Sequence, residues 1–243
     1  MAKSLLTRSK TEGEIGRDWT QGSITKNLLS LSWPMLISYT IQMIGPTIDM
    51  VWIGKLGSNS IAGVGVSVMT VQFANSLIWG LFVGTTAMIA RFIGAKDAQT
   101  ANRVAQQSFV IGVSFSIAMV IIGLFMSDAI LALFGVEPGV AAEGAAYLRI
   151  QFVGMATMST ISLSQSIMQA SGDAFTPMKI NIGYRLFQVV LCPALIFGWW
   201  IFPELGVRGA ALSNVITQGI GGAIALRILF TGRTRTQVQI NLW

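Results

Sequence analysis

The sequence predicts an all-α integral membrane protein built as a bundle of six transmembrane helices. Its 243 residues are 53% hydrophobic and only 11% charged, and its mean hydropathy is +0.65. A helix needs about 20 consecutive apolar residues to cross about 30 Å of hydrocarbon, and six such runs lie between the charged segments. High hydropathy, low charge and these six runs together are typical of a multi-pass membrane protein.

The first three predicted spans cover residues 28–53, 61–90 and 104–126. Residues 1–27 precede them as a tail with five Lys or Arg and no apolar run with a cleavage site, which indicates a cytoplasmic tail rather than a signal peptide. Short polar breaks separate the spans. We expect a longer external loop over residues 127–144, because this segment contains three acids and no basic residue.

The last three predicted spans cover residues 145–169, 180–201 and 207–230, so that residues 28–230 form the transmembrane lobe. The fifth span contains Arg185, which we expect to extend to the cytoplasmic interface as long basic side chains do near helix ends. The sixth opens with three small residues that let helices approach closely: Gly209, Ala210 and Ala211. Residues 231–243 form a basic cytoplasmic tail or the start of a linker between lobes.

The distribution of basic residues predicts the orientation. Of the 16 Lys and Arg residues, 13 fall on the amino-terminal side of the membrane in this arrangement; the other three are Lys55, Arg149 and Arg208. Because cytoplasmic loops carry the excess of Lys and Arg, both termini are expected in the cytoplasm. The protein is expected in the plasma membrane, which is the inner membrane of the cell. The same rule accounts for the net charge of +6, so nucleic acid is not expected as a partner.

One carboxylate, Asp49, lies deep in the first predicted span. Ser38, Gln42, Gly45 and Asp49 follow one another at steps of four, three and four residues, which places them on one helical face. An ionised side chain at the centre of a membrane helix costs about 2.5 to 3.5 kcal/mol, so it rarely faces lipid. We therefore expect Asp49 to face the protein interior or a wet cavity, beside a bend at Pro46. The structural alternative is an Asp that caps or pairs near a helix end.

Other spans also place polar residues on one helical face. Tyr147 stands on such a face of the fourth span, Gln188 and Cys192 on one of the fifth, and Asn214 on one of the sixth. Together they could line a single cavity with Asp49 as its only deep charge, an arrangement that suits a cation. The alternative for each residue is hydrogen bonding between helices, which holds membrane bundles together.

The composition argues against most enzyme chemistry. The chain has no His, which removes the usual zinc sites, His-based nucleophile triads and the commonest general base. Its one Cys, Cys192, cannot form an intrachain disulfide, and its apolar surroundings indicate an inert thiol. With no paired carboxylates and no cluster of metal ligands, we expect no enzyme activity, no metal site and no cofactor.

Short segments in a specific order carry a resemblance to a known family. They are Pro34 with Asp49, Trp52, Gly54 and Gly57, then GTTAMIARFIGAKD from Gly84 to Asp97, QASGDAFTPM from Gln169 to Met178, and LGVRGAALSN from Leu205 to Asn214. Over about residues 28–230 this order resembles the amino-terminal half of a multidrug and toxic compound extrusion (MATE) transporter. The residues taken as its structural motif are Pro34, Pro46, Gly54, Gly57, Arg91, Gly94, Gly172, Asp173, Pro177 and Pro193.

The resemblance implies one six-helix lobe of a twelve-helix antiporter whose two lobes rock to give alternating access. Members export cationic drugs and other organic cations in exchange for protons or sodium ions. Asp49 stands at the position of the family's essential first-helix carboxylate, and Gln42 and Tyr147 at positions of cavity residues near that acid. Asn214 falls near the position of a sixth-helix hydroxyl that helps to bind the cation.

Two features depart from the family pattern. Many prokaryotic relatives carry Asn-x-x-x-Asp-Pro in the fifth helix, whereas this chain has Gln188 and Cys192 before Pro193. A sodium site needs several hard oxygen ligands, so the missing acid weakens the case for sodium and leaves protonation of Asp49 as the switch. The other feature is length, because six spans call for a second lobe or a homodimer partner.

Three functions remain open from the sequence. The leading hypothesis is export of cationic, amphipathic compounds, with Asp49 as the exchange site. A second is flipping of a lipid-linked precursor, which would require a more cationic cavity for the phosphates. The third is a truncated membrane lobe that does not transport.

Overall fold

The computed structural model describes residues 23–199 and 202–230, and in these residues the chain forms seven α-helices and no β-strand. The helices are α1 (Ile24–Gly54), α2 (Ser58–Gly94), α3 (Ala98–Leu133), α4 (Pro138–Val153), α5 (Met155–Ala170), α6 (Phe175–Phe197) and α7 (Val207–Phe230). Five of them, α1, α2, α3, α6 and α7, are long and apolar enough to cross a membrane. Residues 1–22 of the tail predicted over residues 1–27, and the whole tail predicted over residues 231–243, lie outside the described residues; residues 24–27 belong to α1.

The fourth predicted span is divided between α4 and α5. The two helices meet at Gly154, whose φ of −67° and ψ of −12° lie in the right-handed helical region. The Gly154 amide still donates to the Ile150 carbonyl, and the Met158 amide donates to the Gly154 carbonyl. Because the chain does not reverse at Gly154, α4 and α5 together form one span, and the described part of the chain contains six.

The connections between helices are shorter than the sequence predicted. Residues 127–133, which were expected in an external loop, continue α3, and α4 begins at Pro138, so residues 134–137 alone connect the two. The prediction of a long loop was wrong because its acids do not interrupt the helices. Proline itself favours the start of α4, since the first residues of a helix have no intrahelical partner for their N–H groups.

Two aspartates cap helices outside the apolar part of the bundle. Asp97 accepts hydrogen bonds from the Thr100 hydroxyl at 2.6 Å and the Thr100 amide at 3.0 Å, and these bonds lower the pKa of Asp97. Asp173 accepts from the amides of Phe175 and Thr176 at 3.1 and 3.0 Å, at the start of α6. Gly172 precedes it with a φ of +85°, which glycine adopts without a steric penalty. These contacts provide the turn predicted for this segment.

The interior of the bundle combines apolar side chains with small polar ones, and its exterior is apolar. Ser67, Asn181 and Ser213 are completely buried, whereas Met43, Phe125 and Leu133 are between 76% and 88% exposed. Such an exterior suits acyl chains rather than water. The distribution is that of an integral membrane protein.

Small residues set the closest helix contacts. A Cβ added at Gly63 in α2 would lie 2.6 Å from the Val140 carbonyl oxygen and 2.8 Å from the Gly144 amide nitrogen in α4. The Ser67 hydroxyl donates to the carbonyls of Gly63 and Gly144 at 2.8 and 2.9 Å, which joins the two backbones. The close approach predicted for the start of α7 is also present, because a Cβ at Gly209 would lie 2.9 Å from the backbone nitrogen of Ile196.

The helix order in space leaves α1 beside α6. α1 packs mainly against α6, α6 packs against α7, and α2 packs against α3 and α4. α1 remains helical through both Pro34 and Pro46; the bend expected at Pro46 stays a prediction. The face of α1 that carries Asp49 therefore meets the middle of α6.

Candidate functional site

Asp49 lies inside the bundle, on the face of α1 that packs against α6. It is 6% exposed, Ser38 on the same face is 3% exposed, Gly45 is buried and Gln42 is half-buried. The Ser38 hydroxyl donates to the Pro34 carbonyl of its own helix at 2.9 Å, so its hydrogen bond is local. The face predicted from the spacing thus turns toward protein, with Asp49 as the charged group that it presents to α6.

Two neutral side chains of α6 contact the Asp49 carboxylate. Gln188 Nε2 donates to Asp49 Oδ2 at 2.7 Å, and the Cys192 thiol hydrogen-bonds to the same carboxylate. Gln188 is 1% exposed and Cys192 is fully buried. Because the two residues are four apart in a helix, they lie on one face, and the structure brings both of these predicted residues onto Asp49.

Arg185 is a second buried charge beside Asp49, at a depth that its sequence position did not predict. The side chain is 9% exposed, and its guanidinium donates through Nη1 to Gln188 Oε1 and through Nη2 to the Gln42 carbonyl at 3.5 Å. Gly45 leaves room for it, because a Cβ at Gly45 would lie 2.6 Å from Arg185 Cζ. The expectations that Arg185 extends to the interface and that Asp49 is the only deep charge were therefore wrong.

Gln188 lies between the two charges. Its amide nitrogen donates to Asp49 and its amide oxygen accepts from Arg185, so one side chain bridges α1 and α6. Within the described part of the chain no ion pair joins Arg185 directly to Asp49, although the two attract each other electrostatically. The result is a linear arrangement of carboxylate, amide and guanidinium.

Tyr147 lies near this cluster, whereas Asn214 is bonded along its own helix. Tyr147 is 5% exposed, within electrostatic range of Asp49 and Cys192, and its hydroxyl accepts from Gln151 Nε2 at 2.8 Å. Asn214 Oδ1 accepts from Gln218 Nε2 at 2.6 Å, one turn further along α7. The structure therefore gathers Tyr147, Gln188 and Cys192 about Asp49, whereas the side chain of Asn214 is bonded to Gln218.

A groove of about 400 Å³ opens beside the cluster, between α1, α2 and α5. Gln42 belongs both to this groove and to the contacts of Arg185. Aromatic rings, hydroxyls and amides share the lining, which includes Ser38, Tyr39, Trp79, Phe82, Ser162 and Gln165. Apolar walls with a few polar groups are the usual lining of sites for small organic molecules.

The cluster offers little to a hard metal cation. In residues 23–199 and 202–230, no three His, Cys, Asp or Glu side chains come together as a set of ligands. A cation beside Asp49 would meet one carboxylate, one amide and the Cys192 thiol, and thiols are soft ligands that hard cations do not favour. Arg185 would oppose its charge.

Six membrane spans around a buried polar and charged cluster define a membrane protein of the transporter type, because charges inside membrane helices mark substrate and ion pathways. A family model described as MatE matches residues 34–194. The chain belongs to the MATE family.

Two relatives are named as probable multidrug resistance proteins. The chain is 28% identical to the probable multidrug resistance protein YpnP of Bacillus subtilis over 204 residues. This alignment covers 84% of this chain and 45% of YpnP. It is 25% identical over 208 residues to the probable multidrug resistance protein NorM of Thermotoga maritima, over 85% of this chain and 45% of that protein. Neither name describes an enzyme.

A solved structure supports the same fold. The chain matches an outward-facing multidrug resistance MATE family transporter of the MOP superfamily with a TM-score of 0.81 and 27% identity, over 90% of this chain and 48% of that one. The predicted fold class, a six-helix membrane bundle that forms the amino-terminal lobe of a MATE transporter, is confirmed. The chain spans about half the length of the relatives it matches. The functional roles assigned to Asp49, Gln42, Tyr147, Gln188, Cys192 and Asn214 stay predictions.

Proposed function

We propose that this lobe belongs to a secondary active multidrug efflux transporter that exports cationic or amphipathic compounds across the plasma membrane, with Asp49 as the exchange site. The observation that carries the proposal is a buried membrane carboxylate held by neutral donors alone in direct contact, Gln188 and Cys192. Such a group can exchange partners, because no ion pair has to be broken first. The multidrug names of the relatives support the same function.

The exchange follows from competition for one carboxylate. Asp49 can hold a proton or balance the positive charge of a substrate, and occupation by one opposes the other. We propose the proton as the coupling ion rather than sodium, because Cys192 contributes a thiol to Asp49 where sodium would require another oxygen. Proton binding on one side of the membrane would then release substrate, and proton loss on the other would allow it to rebind.

Alternating access requires a second body for this lobe to move against. In transporters built from two related lobes, the site opens to either side as one lobe rocks against the other. The partner proposed here is a second six-helix lobe or a second copy of this chain. Both termini of the lobe would lie in the cytoplasm, as the basic residues predict.

One observation favours the second candidate, flipping of a lipid-linked precursor. The buried guanidinium of Arg185 supplies a cation of the kind that phosphate recognition uses. Asp49 next to it would repel a pyrophosphate, however, and only one guanidinium is present in the cluster. Export of amphipathic compounds therefore remains the proposal.

The substitution Asp49→Asn tests the exchange site. Asn keeps an oxygen that can accept the hydrogen bond from Gln188, so the full-length variant is expected to insert and fold normally. Asn cannot take up and release a proton, so the variant should lose exchange. Everted vesicles energised by a proton gradient should accumulate ethidium or dansylcadaverine with the native protein and lose that accumulation with the variant. The matched control is Asp128→Asn, which changes an exposed carboxylate paired with Arg149 and should transport normally. Undiminished transport by a folded Asp49→Asn protein would refute the proposal, and native vesicles that move no probe would indicate a lobe that does not transport.

A further inference from the structure

Arg185 has hydrogen-bonding capacity that the protein does not use. A guanidinium has five N–H donors and no acceptor. In this structure one nitrogen donates to the Gln188 amide oxygen and one reaches the Gln42 carbonyl at 3.5 Å. The guanidinium also hydrogen-bonds to Tyr184, but its buried Nε has no partner. A buried donor without a partner has lost its hydrogen bond to water and gained none in return, which is unfavourable. The side chain is 9% exposed, so water does not compensate in full.

The local structure keeps this guanidinium away from the nearest acid. The usual arrangement for a buried arginine is a bidentate pair with a carboxylate, and breaking such a pair is costly. Here the Gln188 side chain stands between Arg185 and Asp49, and Gly45 provides the space in which the guanidinium lies against α1. Its hydrogen-bond partners, two amide oxygens and the Tyr184 hydroxyl, are all neutral, so its positive charge is not neutralised by direct contact.

The two charges are separated along α1 by about one helical turn. Arg185 lies against Gly45, and Asp49 is four residues further along, which corresponds to about 6 Å at the helical rise. A substrate with a single positive charge would be attracted by Asp49 and repelled by Arg185. A substrate with an ammonium and a carboxylate at this spacing would be attracted by both residues.

We propose that Arg185 is a specificity-determining residue that binds the carboxylate of zwitterionic amphipathic substrates while Asp49 binds their ammonium group. This inference rests on the proposed export function and narrows its substrate class. The unpartnered Nε and the weakly bonded Nη2 donate to the incoming carboxylate. The groove between α1, α2 and α5, which shares Gln42 with this site, accommodates the apolar part of the substrate.

Two fluorescent probes that differ by one carboxylate test the proposal. Nα-dansyl-lysine carries a free ammonium and a carboxylate on a flexible chain, and dansylcadaverine is the same molecule without the carboxylate. Their binding to the complete gene product is measured in detergent by dansyl fluorescence. The native protein is expected to bind Nα-dansyl-lysine at least about tenfold more tightly than dansylcadaverine.

Three variants separate recognition from stability. Arg185→Gln should weaken Nα-dansyl-lysine binding by about tenfold or more while leaving dansylcadaverine binding unchanged or stronger. Arg185→Lys keeps the charge but loses the planar fork, so its preference should be intermediate. Arg208→Gln is the matched control, because Arg208 is exposed at the start of α7, and it should behave as the native protein does.

The outcomes are distinct from those of the exchange-site experiment. Equal binding of the two probes by the native protein, or an Arg185→Gln protein that loses both equally, would overturn the assignment. If Arg185→Gln does not fold, as judged by gel filtration and thermal unfolding, Arg185→Lys takes its place. The ratio of its affinities for Nα-dansyl-lysine and dansylcadaverine should then be lower than the native ratio, and an unchanged ratio would overturn the assignment. Asp49-dependent transport of dansylcadaverine with no carboxylate preference leaves the export function standing and removes this inference. A carboxylate preference without transport of any probe removes the export function and keeps the binding role of Arg185.

Discussion

At the scale of single residues, Gln188 determines how the two buried charges relate. It contacts Asp49 with one end of its amide and Arg185 with the other. An aliphatic side chain at this position would leave a carboxylate and a guanidinium buried without these bonds, and unsatisfied charged groups cost more than neutral ones. The amide therefore holds opposite charges near each other without letting them neutralise each other in direct contact.

Gly45→Ala is expected to disturb Arg185 selectively. The new Cβ would lie 2.6 Å from Arg185 Cζ, so the guanidinium has to move, while alanine within a helix is about 1 kcal/mol more favourable than glycine. We therefore predict a protein that melts near the native temperature but binds Nα-dansyl-lysine several-fold more weakly. This corresponds to a loss of about 1 kcal/mol in binding free energy. The matched control is Gly84→Ala, since nothing lies within 4 Å of that added Cβ. Native affinity in the Gly45→Ala protein would show that the position of the guanidinium does not matter for binding.

The sequence correctly predicted that Asp49 faces the interior, but the predicted position of Arg185 at the interface was wrong. Asp49 could be found because the cost of a charge in hydrocarbon fixes which way it faces. Arg185 was misplaced because the fifth span was expected to begin at residue 180, five residues before it. α6 begins at Phe175, so Arg185 lies about 15 Å along the helix, too far from the end for the expected extension to the interface.

At the scale of helices, the crossing of α2 and α4 brings two backbones into close contact. Gly63 and Gly144 face each other there, and the Ser67 hydroxyl donates to carbonyls of both helices. Contacts of this kind replace the hydrophobic effect, which does not drive association between helices in lipid.

Gly63→Ala is predicted to destabilise the bundle. Its Cβ would meet the backbone of α4 at 2.6 and 2.8 Å, and backbone atoms cannot rotate away as a side chain can. Overpacking of this kind costs about 1–3 kcal/mol, which should appear as a lower midpoint of thermal unfolding in detergent. Gly80→Ala in the same helix has open space around the new Cβ and should leave the midpoint unchanged or raise it. A Gly63→Ala protein as stable as the native one would mean that the crossing can widen freely.

Hydropathy predicted the number of spans, but not where helices end. The apolar runs had to be helical because backbone groups in hydrocarbon must be paired within the segment. The loop predicted over residues 127–144 failed because helices can continue beyond the hydrocarbon, where acids such as Asp128 meet water and basic partners such as Arg149. Charge marks where the membrane ends more reliably than where the helix ends.

At the scale of the whole molecule, the lobe is asymmetric in charge. Basic residues collect on one predicted side, and the acids near the α3–α4 connection lie on the other. The positive-inside rule predicts that the basic side faces the cytoplasm. Alternating access would then expose Asp49 to each side in turn.

Single cysteines test this orientation. Cys192 is completely buried, so the native protein should give little background with a membrane-impermeant maleimide. Glu137→Cys, between α3 and α4, is expected to react in intact cells, and Gln99→Cys, at the start of α3, only after the membrane is opened. Labelling in the opposite pattern would reverse the proposed topology.

The divided fourth span has a consequence for how the protein is made. α4 and α5 have 16 residues each, and the residues around Gly154 include several hydroxyls and amides. We therefore expect this segment to move from the translocon into lipid less readily than the more apolar spans. Its polar groups find their partners on neighbouring helices, for example where the Ser159 and Ser116 hydroxyls bond at 3.0 Å. We therefore expect α3, which carries the Ser116 partner of Ser159, to assist the insertion of this later segment.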